Sequence, residues 1–346
     1  MVKDLNGEPL SEVLEQYPYT VKGIRTESYK QKKGVWWVDT TKGMKILKKH
    51  PNSESMLHFL LAAVSHLQDK GIQIPAVNKT TDGRSYVKVG ETCFILIDAV
   101  EGVNPSYKKP EELETLVREL ARFHAASAGF VPPEESKVRQ HLGTWREDYS
   151  ADLGRLKAFY SEELSKTAHS EFGKMILEVF PAFLKRMQDT IEGLNRPAYT
   201  AWVAKIAAEG GLCHQDFAAG NVLLNPSGKV YILDTDSLTI ELPARDIRKL
   251  LNKVMKKNGK WDYALLHNIL SWYQKENPLN ADEWAVVKLD LNFPHLFNGI
   301  MDKYYRRREK EWSEGKYLSR LKEMVAVERS KQSVLDQYET IIEEFR

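Results

Sequence analysis

The sequence predicts an α+β protein of two lobes: a small antiparallel-sheet lobe with one helix, then a larger, mainly helical lobe. Three observations carry that expectation. Aromatic and β-branched runs separated by turn residues fill much of the first hundred positions, apolar residues at helical spacing dominate beyond residue 110, and one strand-like island, residues 212–240, interrupts the helices. A chain of 346 residues with 42% in the hydrophobic set is long enough to bury two cores of this kind.

In order along the chain, Val35–Thr40 reads as a strand, Thr41–Gly43 as a turn and Met44–Lys48 as the return strand. Ser53 then has the chemistry of an N-cap, and Leu57, Leu60, Leu61, Val64 and Leu67 recur at helical spacing up to Gly71. Residues 84–100 hold two further strand-like runs divided by Gly90 and Glu91; the second, Cys93–Val100, ends at Glu101-Gly102, where a Pro/Ser/Lys-rich stretch begins. The boundary between the lobes is therefore expected near residue 102. Beyond it, Pro110 suits the first turn of a helix whose Leu113, Leu116, Val117, Leu120 and His124 share a face. Helical periodicity also fills 150–208 and 246–345, and Asn225–Gly228 is the turn of the island between them.

Charge and cysteine content exclude several classes. Fifty Lys and Arg against 48 Asp and Glu leave +2, which offers no global attraction for nucleic acid or membrane. Locally the balance differs: residues 22–50 hold nine Lys or Arg and two acids, a +7 segment that either attracts phosphates or another anionic partner or is a solvated surface. Cys93 and Cys213 are too few for a disulfide framework, and no Cys/His spacing suits zinc. The start, MVKDLNGEPL, has no apolar signal core, and the longest apolar run, Phe59–Val64, is far short of the roughly 18 residues of a membrane span. Synthesis in the cytoplasm is expected.

Chemistry concentrates in the island, where Asp216, Asn221 and Asp234 stand out against an apolar background. If Asn225 and Gly228 flank the turn, Val222 faces Tyr231, Leu223 faces Val230 and Asn221 faces Ile232. Alternation then makes Asn221 and Asp234 diagonal neighbours on one face, roughly 7–8 Å apart, so that a small cation could join their hard oxygens. Asp216, in the preceding loop, is left to act on a substrate hydroxyl. Cys213 beside His214 is not a nucleophilic pair, because adjacent residues of an extended segment point apart; Cys213 reads as a small buried hydrophobe.

His214-x-Asp216-x4-Asn221, followed by an apolar strand ending in Asp234, resembles the catalytic loop and metal-binding Asp of the protein-kinase-like fold, most closely its aminoglycoside phosphotransferase and choline kinase branch. The whole chain resembles the CotS family of bacterial spore coat proteins, on the Gly43-x-x-x-Leu47-Lys48 hairpin, the Leu120–His124 helix segment and the Cys213–Phe217 start of the loop. The resemblance implies a bilobal fold, with residues 1–102 as a nucleotide-binding lobe and 103–346 as a helical lobe carrying the catalytic loop and an acceptor pocket.

It further implies ATP and Mg²⁺ as cofactors and assigns roles. Asp216 would take or orient the acceptor's proton, and Asn221 and Asp234 would hold the metal; Asp236 either joins them or caps the turn after the strand. Lys48, which shares strand parity with Ile46 while Lys45 and Lys49 face the other way, would reach the phosphates. Its expected partner is Glu54, whose other reading is a first-turn acid placed by the helix dipole. The connection holding Ile97, Asp98, Ala99 and Val100 would bind adenine through its backbone. His214 would be structural, and Asp246 would steady the loop or serve as an ordinary N-cap.

Two departures shape the function. No G-x-G-x-x-G occurs between residues 20 and 40; Thr26–Gly34 has one glycine and three lysines, so lysine or hydroxyl side chains are expected to meet phosphate in place of a glycine-rich amide cradle. Ala218 and Ala219 stand where relatives often carry His-Pro. Only 11 residues separate Asp234 from Asp246, too few for the activation segment of protein kinases, which favours a small-molecule or saccharide hydroxyl as acceptor. The expected function is ATP/Mg-dependent phosphoryl transfer by a protein deposited in the spore coat among other coat proteins. The alternative is a structural or assembly component of the coat that uses an inactive kinase-like scaffold.

Overall fold

The computed structural model describes residues 4–345. In chain order the elements are α1 (Leu10–Leu14), β1 (Val21–Lys30), β2 (Lys33–Thr40), β3 (Gly43–His50), α2 (Glu54–Asp69), β4 (Val87–Val89), β5 (Thr92–Asp98), α3 (Pro110–Ala126), α4 (Trp145–Leu164), α5 (Glu171–Gly193) and α6 (Pro197–Glu209). There follow β6 (Leu212–Cys213), β7 (Val222–Leu224), β8 (Val230–Ile232), β9 (Thr239–Ile240), α7 (Ala244–Asn258), α8 (Tyr263–Glu276), α9 (Ala281–Asn292), α10 (His295–Tyr305), α11 (Glu314–Leu335) and α12 (Tyr338–Glu343). They form two compact units. The first comprises the chain through Pro105, Phe130–Arg139 and Ala219–Leu238; the second comprises Ser106–Gly129, Gln140–Ala218 and the chain from Thr239 onward.

The first unit is built on an antiparallel sheet of order β1-β2-β3-β5-β4. Alternation sorts its two faces. Trp36 and Val38 of β2 bury against Leu47, Phe94 and Leu96 in a core shared with Leu10 and Val13 of α1, while Val35 and Trp37 turn to the other face. The helix α2 starts where the sequence places it, with the Ser53 hydroxyl accepting from Met56 N–H and Leu57, Leu60, Val64 and Leu67 buried. Hydrophobic patterning does not reveal β1, because it is the sheet edge, and its charged residues face water along most of their length.

The island at 212–240 is two pieces instead of one hairpin. β6 and β9 pair in the second unit, whereas β7 and β8 pair in the first. The β7–β8 register also differs from the expected one: Val222 pairs Ile232, Leu223 pairs Tyr231 and Leu224 pairs Val230. The loop explains the shift by one residue. Asn225 N–H donates to the Lys229 carbonyl and Asn225 Oδ1 accepts from the Ser227 and Lys229 N–H groups, so the turn is the three residues Pro226–Gly228 with Gly228 at φ +79. Asn221 consequently lies beside Leu233, whose N–H donates to the Asn221 carbonyl at 2.8 Å.

The second unit is helical around the short β6–β9 ladder, with α3, α7, α8 and α9 supplying much of its buried surface. Among the described residues no helix is long and apolar enough to cross a membrane.

Candidate functional site

The sheet face opposite the α1 core lines a cavity of about 660 Å³ in the first unit. Ile46 and Lys48 of β3 both point into it, joined by Val35 and Trp37 of β2, Leu57 and Leu61 of α2, and Ile95 and Ile97 of β5. Lys45 and Lys49 face away, paired with Asp98 at 2.5 Å and Glu8 at 2.5 Å. One end of this apolar slot is polar, formed by Lys33, Lys48, Asn221, Asp234 and Asp236. An apolar slot with a few convergent charges suits a ligand with a flat apolar part and a charged tail.

Asn221 and Asp234 do not come together by strand alternation, since the true register would set them on opposite faces. Both line the cavity all the same, from irregular backbone. Asn221 ends a 3₁₀ turn, Ala219–Asn221, and Asp234 sits in the left-handed region at φ 53, ψ 55, starting a second such turn, Thr235–Ser237. A non-glycine residue held there costs on the order of 1 kcal/mol and marks a position that surrounding contacts over-determine. Lys48 Nζ lies 2.9 Å from Asp236 Oδ1 and 3.3 Å from Asp234 Oδ1; Lys33 Nζ lies 2.9 Å from Asp236 Oδ2 and 3.6 Å from Asp234 Oδ1. Arg139 Nη1 donates to the Asp236 carbonyl at 2.7 Å. Burial pushes the Asp236 carboxyl up, but the ammonium groups of Lys48 and Lys33 outweigh it and hold the group well below the usual carboxylate range. The two carboxylates offer hard oxygens suited to Mg²⁺, Asn221 lines the same cavity, and the two lysines resting on the carboxylates mark the spot as one that accepts cationic charge.

Glu54 is not the partner of Lys48. Its carboxylate accepts from Tyr86 OH at 2.6 Å and pairs with Lys88 at 2.8 Å, at the β4 side of the sheet. The reason lies in α2: the residues it presents to the cavity are Leu57, Leu60, Leu61 and Val64, all apolar, so the lysine finds its counter-charges on Asp234 and Asp236. In the connection, Ile97, Asp98 and Val100 line the cavity and Ala99 does not. The Asp98 side chain is committed to Lys45 and to Asn78 Nδ2, and the N–H groups of Asp98 and Ala99 donate to the Ala76 and Met44 carbonyls. Val100 is the next residue along the cavity wall.

His214, Asp216 and Asp246 belong to the second unit. Asp246, fully buried at the start of α7, accepts from the N–H groups of His214 (2.5 Å) and Gln215 (2.9 Å) and from His124 Nε2 (3.3 Å). Gln215 stands at φ 69, so this loop too is held in a strained shape. His214 is buried between the rings of Phe123 and Phe217, and its Nδ1 accepts from Asp216 N–H at 3.3 Å. The Asp216 carboxylate is exposed and pairs with Lys253 Nζ at 2.7 Å, while Lys249 Nζ caps the Gln215 carbonyl at 2.7 Å. Lys249 and Lys253 carry a readable signal, since they follow Asp246 at i+3 and i+7 on one face of α7. Lys33 shares the parity of Val35 and Trp37, a signal equally available; Arg139 lies in a loop and carries none.

His50, 5% exposed and lining the cavity, gives a pH prediction. Burial, reinforced by Lys48 and only partly offset by Asp236, pushes its pKa down to about 4. The folded state therefore binds fewer protons than the unfolded chain between its ordinary value of 6.5 and 4, so His50 costs stability progressively as pH falls through that window. Chemical denaturation of wild type and His50→Gln across pH 7.5 to 4 should show wild type losing up to about 3 kcal/mol relative to the variant on acidification. A pH-independent difference would contradict the burial of a neutral imidazole.

Comparison with known proteins agrees with this architecture. The family model described as spore coat putative kinase YutH matches residues 15–338. Spore coat protein S of Bacillus subtilis (strain 168) is 33% identical over 340 residues, covering 96% of this chain and 95% of that protein. An aminoglycoside phosphotransferase from Alicyclobacillus acidocaldarius is similar in structure with a TM-score of 0.81 at 18% identity, over 99% of this chain and 98% of its own. Spectinomycin phosphotransferase, solved with ADP and spectinomycin, gives a TM-score of 0.64 at 16% identity, over 99% and 100%. The fold of the chain is that of the aminoglycoside phosphotransferases.

Proposed function

Because this chain belongs to the spore coat YutH family, we propose that it is deposited in the spore coat, that its first unit binds Mg-ATP, and that it transfers the terminal phosphoryl group to a hydroxyl of a small acceptor. One observation carries the reading: an apolar slot that ends in two lysines and two carboxylates, a charge pattern that would suit a purine followed by phosphates and their metal ion. Ile97 and Val100 would meet the base, Lys48 would meet the phosphates, and Asn221, Asp234 and Asp236 would hold the metal, which when bound would neutralise phosphate charge. The acceptor oxygen bonds to the γ-phosphorus as the bond to the β,γ-bridging oxygen breaks. ADP leaves with that electron pair, and the hydroxyl proton goes to Asp216.

A second reading, a coat assembly component that keeps the fold as a scaffold, is favoured by the missing glycine-rich amide cradle between β1 and β2. Thermal melts begin to separate the two from a protein that binds no nucleotide. Saturating Mg-ATP should raise the melting temperature of wild type by several degrees, equivalent to about 2.7 kcal/mol at a hundred times the dissociation constant. Asp234→Ala should lose most of that shift, and an unmoved wild type would remove the nucleotide reading. Nucleotide binding with no ADP release across a panel of hydroxylated acceptors would leave the scaffold.

A further inference from the structure

The two lysines on the acidic pair are not equivalent. Lys48 lies mid-strand on β3, hydrogen-bonded between β2 and β5, and its side chain is only 16% exposed. Lys33 is the first residue of β2, pairs with Lys30 across the two-residue Gln31-Lys32 turn at the open edge of the sheet, and is 43% exposed. Lys48 is held on both sides; Lys33 sits at the open end of a hairpin and reaches inward to Asp236 and Asp234.

Together the ammonium groups already place on two carboxylates the charge that one divalent ion would bring. A free metal ion entering beside both lysines leaves the spot with excess positive charge, whereas a metal ion arriving with phosphates does not. The same hairpin lacks the glycine amides that would cradle phosphate, and an ammonium at its end can supply that contact instead.

We propose that Lys33 is an exchangeable counter-ion: without nucleotide it occupies Asp236 and Asp234 and keeps free divalent metal out, and when metal and nucleotide arrive together it moves from the carboxylates to the phosphate chain. This role rests on the reading of the cavity as a nucleotide site. It makes metal and nucleotide binding mutually dependent, with Lys33 as the group that couples them.

The test is calorimetric titration of the full chain with Mn²⁺ alone, with Mg-ADP and with adenosine, on wild type, Lys33→Ala and Lys33→Arg. The exposed position of Lys33 lets both variants fold, which a thermal melt checks. Lys33→Ala should bind Mn²⁺ alone at least about 5-fold more tightly and Mg-ADP at least about 5-fold more weakly, with adenosine unchanged. Lys33→Arg should restore both affinities toward wild type. The opposite signs set this role apart from a structural one, which would move both affinities together. If wild type binds Mg-ADP but Lys33→Ala shifts the two ligands in the same direction, or shifts neither, the exchange role is overturned while the nucleotide site stands. If wild type binds no Mg-ADP, both fall.

Discussion

Asp216→Asn is expected to lower phosphoryl transfer by roughly 10²- to 10⁴-fold while leaving Mg-ATP affinity within about 3-fold of wild type. The amide keeps the shape of the side chain but cannot take the acceptor's proton. It also weakens the pairing with Lys253, whose Nζ lies 2.7 Å from the carboxylate. Steady-state ADP release with an acceptor that supports turnover, alongside nucleotide titration, separates the two effects. Wild-type turnover in Asp216→Asn would remove Asp216 from the chemistry. Lys253→Ala is the useful companion: it removes this ammonium from the carboxylate without deleting the carboxylate, so its effect on turnover distinguishes positioning from proton transfer.

The largest stability effect is expected at Asp246. Its two oxygens satisfy the N–H groups of His214 and Gln215 and the ring of His124, all within the buried interior of the second unit. Asp246→Ala strands these donors away from water and should cost roughly 3–5 kcal/mol. At about 2–4 °C per kcal/mol for a large domain, calorimetry should show the melting temperature falling by on the order of 10 °C. Asp246→Asn retains one acceptor oxygen and should lose less. Turnover should fall in both variants, because the loop that carries Asp216 is tied down by these same bonds, with Gln215 at φ 69 directly before it. Asp246 is not the N-cap of α7, which is Pro243, so an Asp246→Ala melt within a degree or two of wild type would show that these buried donors are satisfied without it.

Much of this architecture is legible in the residue pattern alone. The β2–β3 hairpin, α2 and the β4–β5 hairpin each announce themselves through period-2 or helical patterning, and strand parity puts Lys48 in the cavity with Ile46 and turns Lys45 and Lys49 away. What the pattern misses has physical causes. The β7–β8 register is one residue off the simple hairpin because Gly228, at φ +79, adds a third residue to the turn, and turn conformation is not written in strand periodicity. Asn221 and Asp234 both line the cavity, from a 3₁₀ turn and a left-handed aspartate that alternation cannot anticipate. Family resemblance pairs Lys48 with Glu54, while the real counter-charges lie nearly two hundred positions away in sequence, a tertiary pairing with no local signature.

The +7 segment also changes meaning in three dimensions. Lys33, Lys45, Lys48 and Lys49 are each consumed by a carboxylate, and Arg25 lies 3.7 Å from Glu27. What remains for an outside anion is Lys22, Lys30, Lys32 and Lys42. The excess charge of this segment is thus largely an internal matter, and the part of it that faces the cavity is the part assigned to phosphate.

Isothermal titration of Mg-ATP into the full wild-type chain is the most direct measurement. One nucleotide per chain is expected, with a binding enthalpy that grows more negative on warming as the apolar slot between β3 and α2 is covered, and with Lys48→Ala weakening the affinity at least about 10-fold. A titration without heat at every temperature, or a Lys48→Ala variant that binds as wild type does, would contradict the assignment of this cavity to a nucleotide.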